Sequence, residues 1–220
     1  LPLAASAAQV PIEFLAQEIL VCYNDTPTPE IEANAKAYRQ LGLGFANLGA
    51  LLMARGLAYD SDEGRAYAAA ITALMTGRAY RKSAEIAKRM GPFEGYRPNA
   101  AAMIGVIAKH RAACGNIEHS DSVPADLLGH CRQAWDEALD LGEVAGYRNA
   151  QATVLAPTGT ISFMMDCDTT GVEPDFSLVK SKKLVGGGEI TIVNKTVPMA
   201  FEKLGYAPNE VEEIVAFIDE

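Results

Sequence analysis

Apolar residues recur at helical spacing from Ile12 to about Leu141, and after Gly146 that spacing gives out. The first part contains stretches that each expose one apolar face at a period of 3.6. The part beyond has a short β-branched run, a glycine turn and a resumed apolar pattern. A chain that changes period in this way is neither a pure bundle nor a sandwich. Its fold class is α/β, with about residues 1–150 mainly helical and 151–220 a strand-turn-helix segment.

Ile12–Cys22 reads as a helix that ends near Asn24-Asp25-Thr26-Pro27. Thr28 before Pro29 is an N-cap with proline at the first helical position. Leu41, Phe45, Leu48 and Leu52 predict a helix over Leu41–Ala54, and Gly42, Gly44 and Gly49 beside them imply a close backbone approach. The clearest helix runs from about Asp62 to Met90. Asp60 and Glu63 form its capping box, and Tyr67, Ile71, Leu74, Met75, Ile86 and Met90 its buried stripe. Glu85–Arg89 is a surface pair, and Gly91-Pro92 stops the helix. Two more helices follow, Asn99–Cys114 with Met103, Ile107, His110 and Cys114 on one face, and Asp126–Leu141 with Leu128, Cys131, Trp135 and Leu139. Gly142 closes the second. Arg78, Arg81, Lys82, Lys88 and Arg89 read as a solvated basic face.

Beyond Gly146, Ala152–Leu155 reads as a buried strand that breaks at Ala156–Thr160 before Ile161–Met165 resumes as a helix start. A second turn, Asp168–Gly171, precedes Val172-Glu173-Pro174. Gly186–Gly188 separates a stretch bearing Lys180, Lys182 and Lys183 from a strand at Glu189–Val193, and a last helix begins near Asn209 with Glu212 completing its cap. No repeat or low-complexity linker divides the chain, so no internal domain boundary is expected.

Composition limits what such a chain binds. It has 220 residues, 28 acids against 19 bases and a formal charge of −9, which excludes a generic coat for nucleic acid or an anionic membrane. The uncharged stretches Gln40–Ala54 and Asn149–Met165 are too short and too polar to span a bilayer. The four cysteines, Cys22, Cys114, Cys131 and Cys167, form no C-x-x-C pair, so a reducing cytoplasm is expected and a metal site is not. His110 and Cys114, four apart on one helix, read as a core-facing polar residue and a small buried hydrophobe. Leu1–Ser6 lacks a basic n-region, and the absence of an initiator Met suggests a fragment.

One segment carries chemistry. In Pro157-Thr158-Gly159-Thr160-Ile161-Ser162, a glycine after a strand lets backbone N–H groups converge, three hydroxyls add donors, and a following helix N-terminus contributes roughly +0.5 charge. Such a turn holds phosphate without a basic side chain. The same residues also read as an ordinary β-to-α turn in which Thr or Ser caps the helix.

Longer blocks resemble one family. Ala152–Ser162 (ATVLAPTGTIS), Met165–Phe176 (MDCDTTGVEPDF), Leu178-Val179-Lys180 and Lys182–Gly188 (KKLVGGG) are similar to the adenosylcobalamin-dependent, class II ribonucleotide reductases. So are Tyr38–Met53, Tyr59–Tyr67 and Gly91-Pro92-Phe93, whereas residues 1–15 match poorly. The resemblance implies a helix-rich part of a ten-stranded α/β barrel. It implies thiyl-radical reduction of ribonucleoside diphosphates, with adenosylcobalamin as cofactor, a thioredoxin-like reductant and a homodimer among the assemblies to expect. It also implies that Pro157, Thr158, Gly159, Thr160, Ile161 and Ser162 bind the substrate's phosphates, with Ser162 also placed to cap the helix that follows. Asn47 and Glu173 are weaker candidates, polar groups near the barrel mouth.

The family's radical cysteine lies in an Asn-x-Cys-x-Glu context, which this sequence lacks, so no catalytic residue is assigned in the segment. Cys167 falls within a matching block, but Asp166 and Asp168 beside it raise a thiol pKa, so it reads as structural. Two other classes stay open, a metal-dependent reductase on the same barrel and a non-catalytic helical phosphate-binding or interaction module.

Overall fold

A computed structural model of the chain describes residues 21, 25–117, 122–183 and 186–219. The predicted helix Ile12–Cys22 and residues 184–185 of the Lys182–Gly188 block lie largely or wholly outside them. The chain divides into two compact units, each made of two stretches: Leu1–Leu43 with Ala69–Val154, and Gly44–Ala68 with Leu155–Glu220.

The first unit holds helices α1 (Pro29–Tyr38), α4 (Tyr96–Gly115), α5 (Ala125–Ala145) and most of α3 (Asp62–Met90). α1 starts as its sequence dictates: Thr28 Oγ1 accepts the Ile31 N–H at 3.3 Å and Pro29 occupies the first turn. The buried side of α3 is made of small residues, Ala70, Ala79, Ser83, Ala84 and Ala87, with Ile86; Met90 is half exposed, against expectation. Gly77 explains the preference, because a Cβ there would lie 3.1 Å from Ala134 and 3.2 Å from Trp135. α5 buries Leu128, Cys131, Trp135 and Leu139 as predicted, and it packs against α4 through Ile107 and Cys114. His110 is exposed rather than core-facing, stacked on Trp135 with ring centroids 5.3 Å apart.

Three local expectations change. Gly142 does not end α5. The Tyr147 ring lies against it, leaving no room for a Cβ, and the helix runs on to Gly146 at φ 71. At α3 the cap is Ser61, whose Oγ accepts the Gly64 N–H at 3.0 Å, in place of an Asp60–Glu63 box. Glu85 pairs with Arg81 and Lys82, and Arg81 also meets Glu137 at 2.8 Å, so part of the basic run is neutralised and half buried.

The predicted helix Leu41–Ala54 is a helix only from Leu48 (α2, Leu48–Ala54), the start of its element in the second unit. α1 closes at Arg39, φ 51, and the chain then extends. Leu41 and Leu43 donate to Gln151 O and Ala152 O at 2.8 and 3.0 Å, and Val154 N–H donates to Leu43 O at 2.8 Å. The result is one parallel bridge, Leu43↔Thr153, where the sequence reading expected a helix on one side and a buried strand on the other. Ala152 is buried, but Val154 and Leu155 are 41% and 47% exposed. Gly42 permits this pairing, since a Cβ would stand 3.0 Å from Val154 Cγ1.

The second unit contains α2, the short α6 (Thr160–Met164), an antiparallel hairpin β1 (Val179–Lys183) and β2 (Glu189–Val193), then α7 (Val197–Leu204) and α8 (Pro208–Asp219). β2 matches its predicted bounds, and Ser181 pairs with Thr191 at the centre of the hairpin. Gly186 and Gly187, φ 110 and 98, make the turn as only glycine does readily. α8 is capped by Glu210, which accepts the Ala207 N–H at 2.7 Å, and not by Glu212. Among the described residues the strands are this hairpin and the single bridge, so the architecture is helix-rich and does not display a ten-stranded barrel. No described helix is long and apolar enough to cross a membrane.

Candidate functional site

The Pro157–Ser162 segment makes a tight turn into α6. Gly159 N–H donates to Pro157 O at 2.6 Å, which closes a three-residue turn with Thr158 at its centre, φ 57. A β-branched residue in that region is strained, and hydrogen bonds hold it there. Thr158 Oγ1 donates to Pro157 O at 2.8 Å and accepts the Gly171 N–H at 2.9 Å. Gly159 follows at φ 58, ψ −121, with nothing within 4 Å of where a Cβ would stand. The turn is therefore accessible: Pro157, Gly159, Thr160 and Ile161 are exposed and Thr158 is half buried.

The expected donor set is reduced. The Thr158 hydroxyl is spent on Pro157 O, and the buried Ser162 hydroxyl donates to Gly159 O at 2.5 Å. Ser162 thus sits in the first turn of α6 as a donor, and Gly159 occupies the N-cap position without a side-chain cap. Ser162 is not the cap. α6 is five residues long, so the full macrodipole assumed for a long helix does not apply either. The first N–H groups of a helix have no i−4 acceptor inside it, and here they lie at an exposed, glycine-opened turn beside the exposed Thr160.

Asn47 and Glu173 both lie in this unit. Asn47, φ 69, leaves its own helix uncapped and accepts the Thr169 N–H at 3.0 Å through Oδ1. Glu173 Oε2 is buried with no hydrogen-bond partner among the described residues, and a Cβ on Gly171 would come within 2.4 Å of it. Thr169, which the sequence reading did not single out, is 1% exposed and bonded on both its N–H and its hydroxyl. Its traces in the sequence are its place in the second turn, Asp168–Gly171, and in the Met165–Phe176 block.

Burial, then Asp166 and Asp168, push the Cys167 thiol above its ordinary value, as their charges require. Cys114, Cys131 and Cys167 are free thiols. Among the described residues, no group of three or more His, Cys, Asp or Glu is placed to hold a metal ion.

The model of the ribonucleotide reductase barrel domain matches residues 4–219, and the chain belongs to that family. The match begins at residue 4, ahead of the blocks that carry the resemblance. The chain is 55% identical over 214 residues to a vitamin B12-dependent ribonucleotide reductase of Streptantibioticus cattleyicolor, covering 97% of this chain and 36% of that protein. It is 52% identical to proteins of the same name from Streptomyces avermitilis and Rhodopirellula baltica, covering 97% and 94% of this chain but 22% and 20% of theirs. The chain thus spans between a fifth and about a third of these relatives.

Proposed function

We propose that the chain is part of the catalytic barrel of an adenosylcobalamin-dependent ribonucleoside-diphosphate reductase, and that Pro157, Thr158, Gly159, Thr160 and Ile161 form its substrate-phosphate loop. The observation that carries the reading is identity of 52–55% to B12-dependent ribonucleotide reductases along nearly the whole chain. One family model matching residues 4–219 supports a single partial barrel domain. Neither the metal-dependent class nor a stand-alone interaction module draws support from these names.

The loop's own chemistry agrees with the role. Thr158 and Ser162 shape the turn from inside, and the backbone around Gly159 is left open to a diphosphate. Pro157, which has no N–H of its own, fixes the approach to the turn. Adenosylcobalamin, when bound to the complete enzyme, supplies the radical. No step is assigned to this segment through the cofactor. A thioredoxin-like reductant, a homodimer and a cytoplasmic setting complete the reading, the last supported by the free thiols.

Gly159→Val in the complete enzyme tests the loop. At φ 58, ψ −121 a β-branched residue is forced out of the turn. KM for a ribonucleoside diphosphate should rise by about tenfold or more. An unchanged KM in a correctly folded variant removes the loop from the site.

A further inference from the structure

α2 is capped from elsewhere in the chain. Its first N–H, on Leu48, donates to Gly171 O at 3.4 Å, and its third, on Ala50, donates to Thr169 Oγ1 at 3.1 Å. A side chain 119 residues away therefore performs the task an N-cap residue performs locally. Asn47, standing at the cap position, turns its Oδ1 to Thr169 instead, accepting the N–H at 3.0 Å and the hydroxyl at 3.4 Å. Gly49 makes the approach feasible, because a Cβ would lie 2.9 Å from both Thr169 Cγ2 and Glu173 O.

The segment anchored in this way also touches the loop. Gly171, φ 43, is pressed so close that a Cβ would lie 2.9 Å from Ala156 O and 3.1 Å from Pro157 Cα. Its N–H is the one that Thr158 Oγ1 accepts, and that bond holds Thr158 in its strained conformation. A continuous path runs from the α2 N-terminus through Thr169 and Gly171 to Thr158. The same segment is fastened at its other end, where Asp168 accepts from the Lys195 N–H and the Thr196 hydroxyl and Asp166 accepts from Lys195 Nζ.

We propose that Thr169, together with Asn47, is a positioning residue for the phosphate loop: it fixes the segment whose Gly171 N–H pins Thr158, and so sets the shape of the turn over 158–161. The proposal rests on the loop holding substrate phosphate. Thr169 is buried in the bonds just described, so its effect reaches substrate through the loop's shape. The Thr158 hydroxyl is then a pin for the turn and not a phosphate ligand.

In the complete enzyme, Thr169→Val keeps the shape of the side chain and removes the hydroxyl. KM for a ribonucleoside diphosphate should rise about five- to tenfold while kcat stays within about twofold, and Thr169→Ser should restore it. Thr158→Val should raise KM similarly, and the double variant should be little worse than either single one, because both cut the same path. Wild-type KM in a folded Thr169→Val protein overturns the proposal, as does a fall in kcat at unchanged KM. Gly159→Val separates the two levels. If it too leaves KM unchanged, the phosphate loop itself is wrong. If it raises KM while Thr169→Val does not, only the positioning role fails. Should Thr169→Val not fold, Thr158→Val decides: a wild-type KM there overturns the pin, and a raised KM rescued by Thr158→Ser supports it.

Discussion

Single residues in this chain are often constrained by one close neighbour. Gly142 is the sharpest case. A Cβ there would lie 2.0 Å from the Tyr147 hydroxyl, which donates to Ala138 O at 2.8 Å. Gly142→Ala must displace the ring or the helix and break that bond, and it should destabilise the protein by ~2–4 kcal/mol, overpacking plus one buried hydrogen bond. A shift in the denaturant midpoint at constant slope is the measurement, and an unchanged midpoint would show that the Tyr147 ring relocates without penalty. Glycine in a helical pattern reads as a stop, and only the aromatic neighbour distinguishes a stop from a packing site.

Cys131 offers a second residue-level expectation. Its thiol, fully buried and bonded to Ala70 O at 3.1 Å, is pushed from 9.0 up to about 11, chiefly by burial and then by neighbouring Cys114. Burial favours the neutral thiol in the folded state, so its stabilisation is complete below pH 9 and is lost as pH rises toward 11. Unfolding free energy should fall across that window, and Cys131→Ala should reduce the slope by about one proton. Equal slopes in the two proteins would show that the thiol contributes nothing to it. Tyr80, Tyr96, Tyr147 and Cys114 are displaced upward in the same sense, so the slope should flatten without disappearing.

At the scale of elements, boundaries were legible where the signal is local. Thr28-Pro29 starts α1 because a hydroxyl and a fixed φ act within one turn. α3 was delimited from sequence because its length and its Gly91-Pro92 stop leave little choice. Its cap was misassigned, since Asp60 and Ser61 are both suitable cap residues and only geometry shows which hydrogen bond forms. Ser61→Ala should cost about 1 kcal/mol and Asp60→Ala much less; thermal melts of the two variants compare them directly. The segment Leu41–Asn47 misled because Leu41 and Phe45 fall at helical intervals from Leu48 and Leu52 of α2, while Arg39 and Asn47 sit at positive φ and Leu41 and Leu43 between them pair with Gln151–Val154. α7 was missed, although Pro198 in its first turn and Gly205 in the left-handed region at its end are ordinary signals.

Across the whole first unit, one buried polar node joins distant stretches. Asn149 donates through Nδ2 to Arg39 O and accepts the Ser83 hydroxyl through Oδ1, both at 2.8 Å, while its N–H donates to Ser83 Oγ at 2.9 Å. Ser83 and Asn149 are 0% and 1% exposed. Asn149→Leu removes the side-chain donor to Arg39 O and the acceptor of the Ser83 hydroxyl, and should cost ~2–4 kcal/mol. Ser83→Ala combined with it should cost less than the sum, and strictly additive losses in a double-mutant cycle would show that the two residues act separately.

The sequence by itself determined the family, the helix-rich character and the identity of the phosphate-loop candidate. These depend on runs of residues contiguous in the chain: periodicity, caps, and the blocks Ala152–Ser162 and Met165–Phe176. Tertiary structure alone decided how the loop is made. Thr158 and Ser162 carry the right groups for binding anions, but a hydroxyl is satisfied by whichever acceptor lies nearest, and folding places Pro157 O and Gly159 O there. Thr169 gains its role only because α2, more than a hundred residues earlier, begins with an N–H that has no acceptor inside the helix and lies 3.1 Å from the Thr169 hydroxyl. Such pairings depend on distance in space, which the order of residues along the chain does not encode locally.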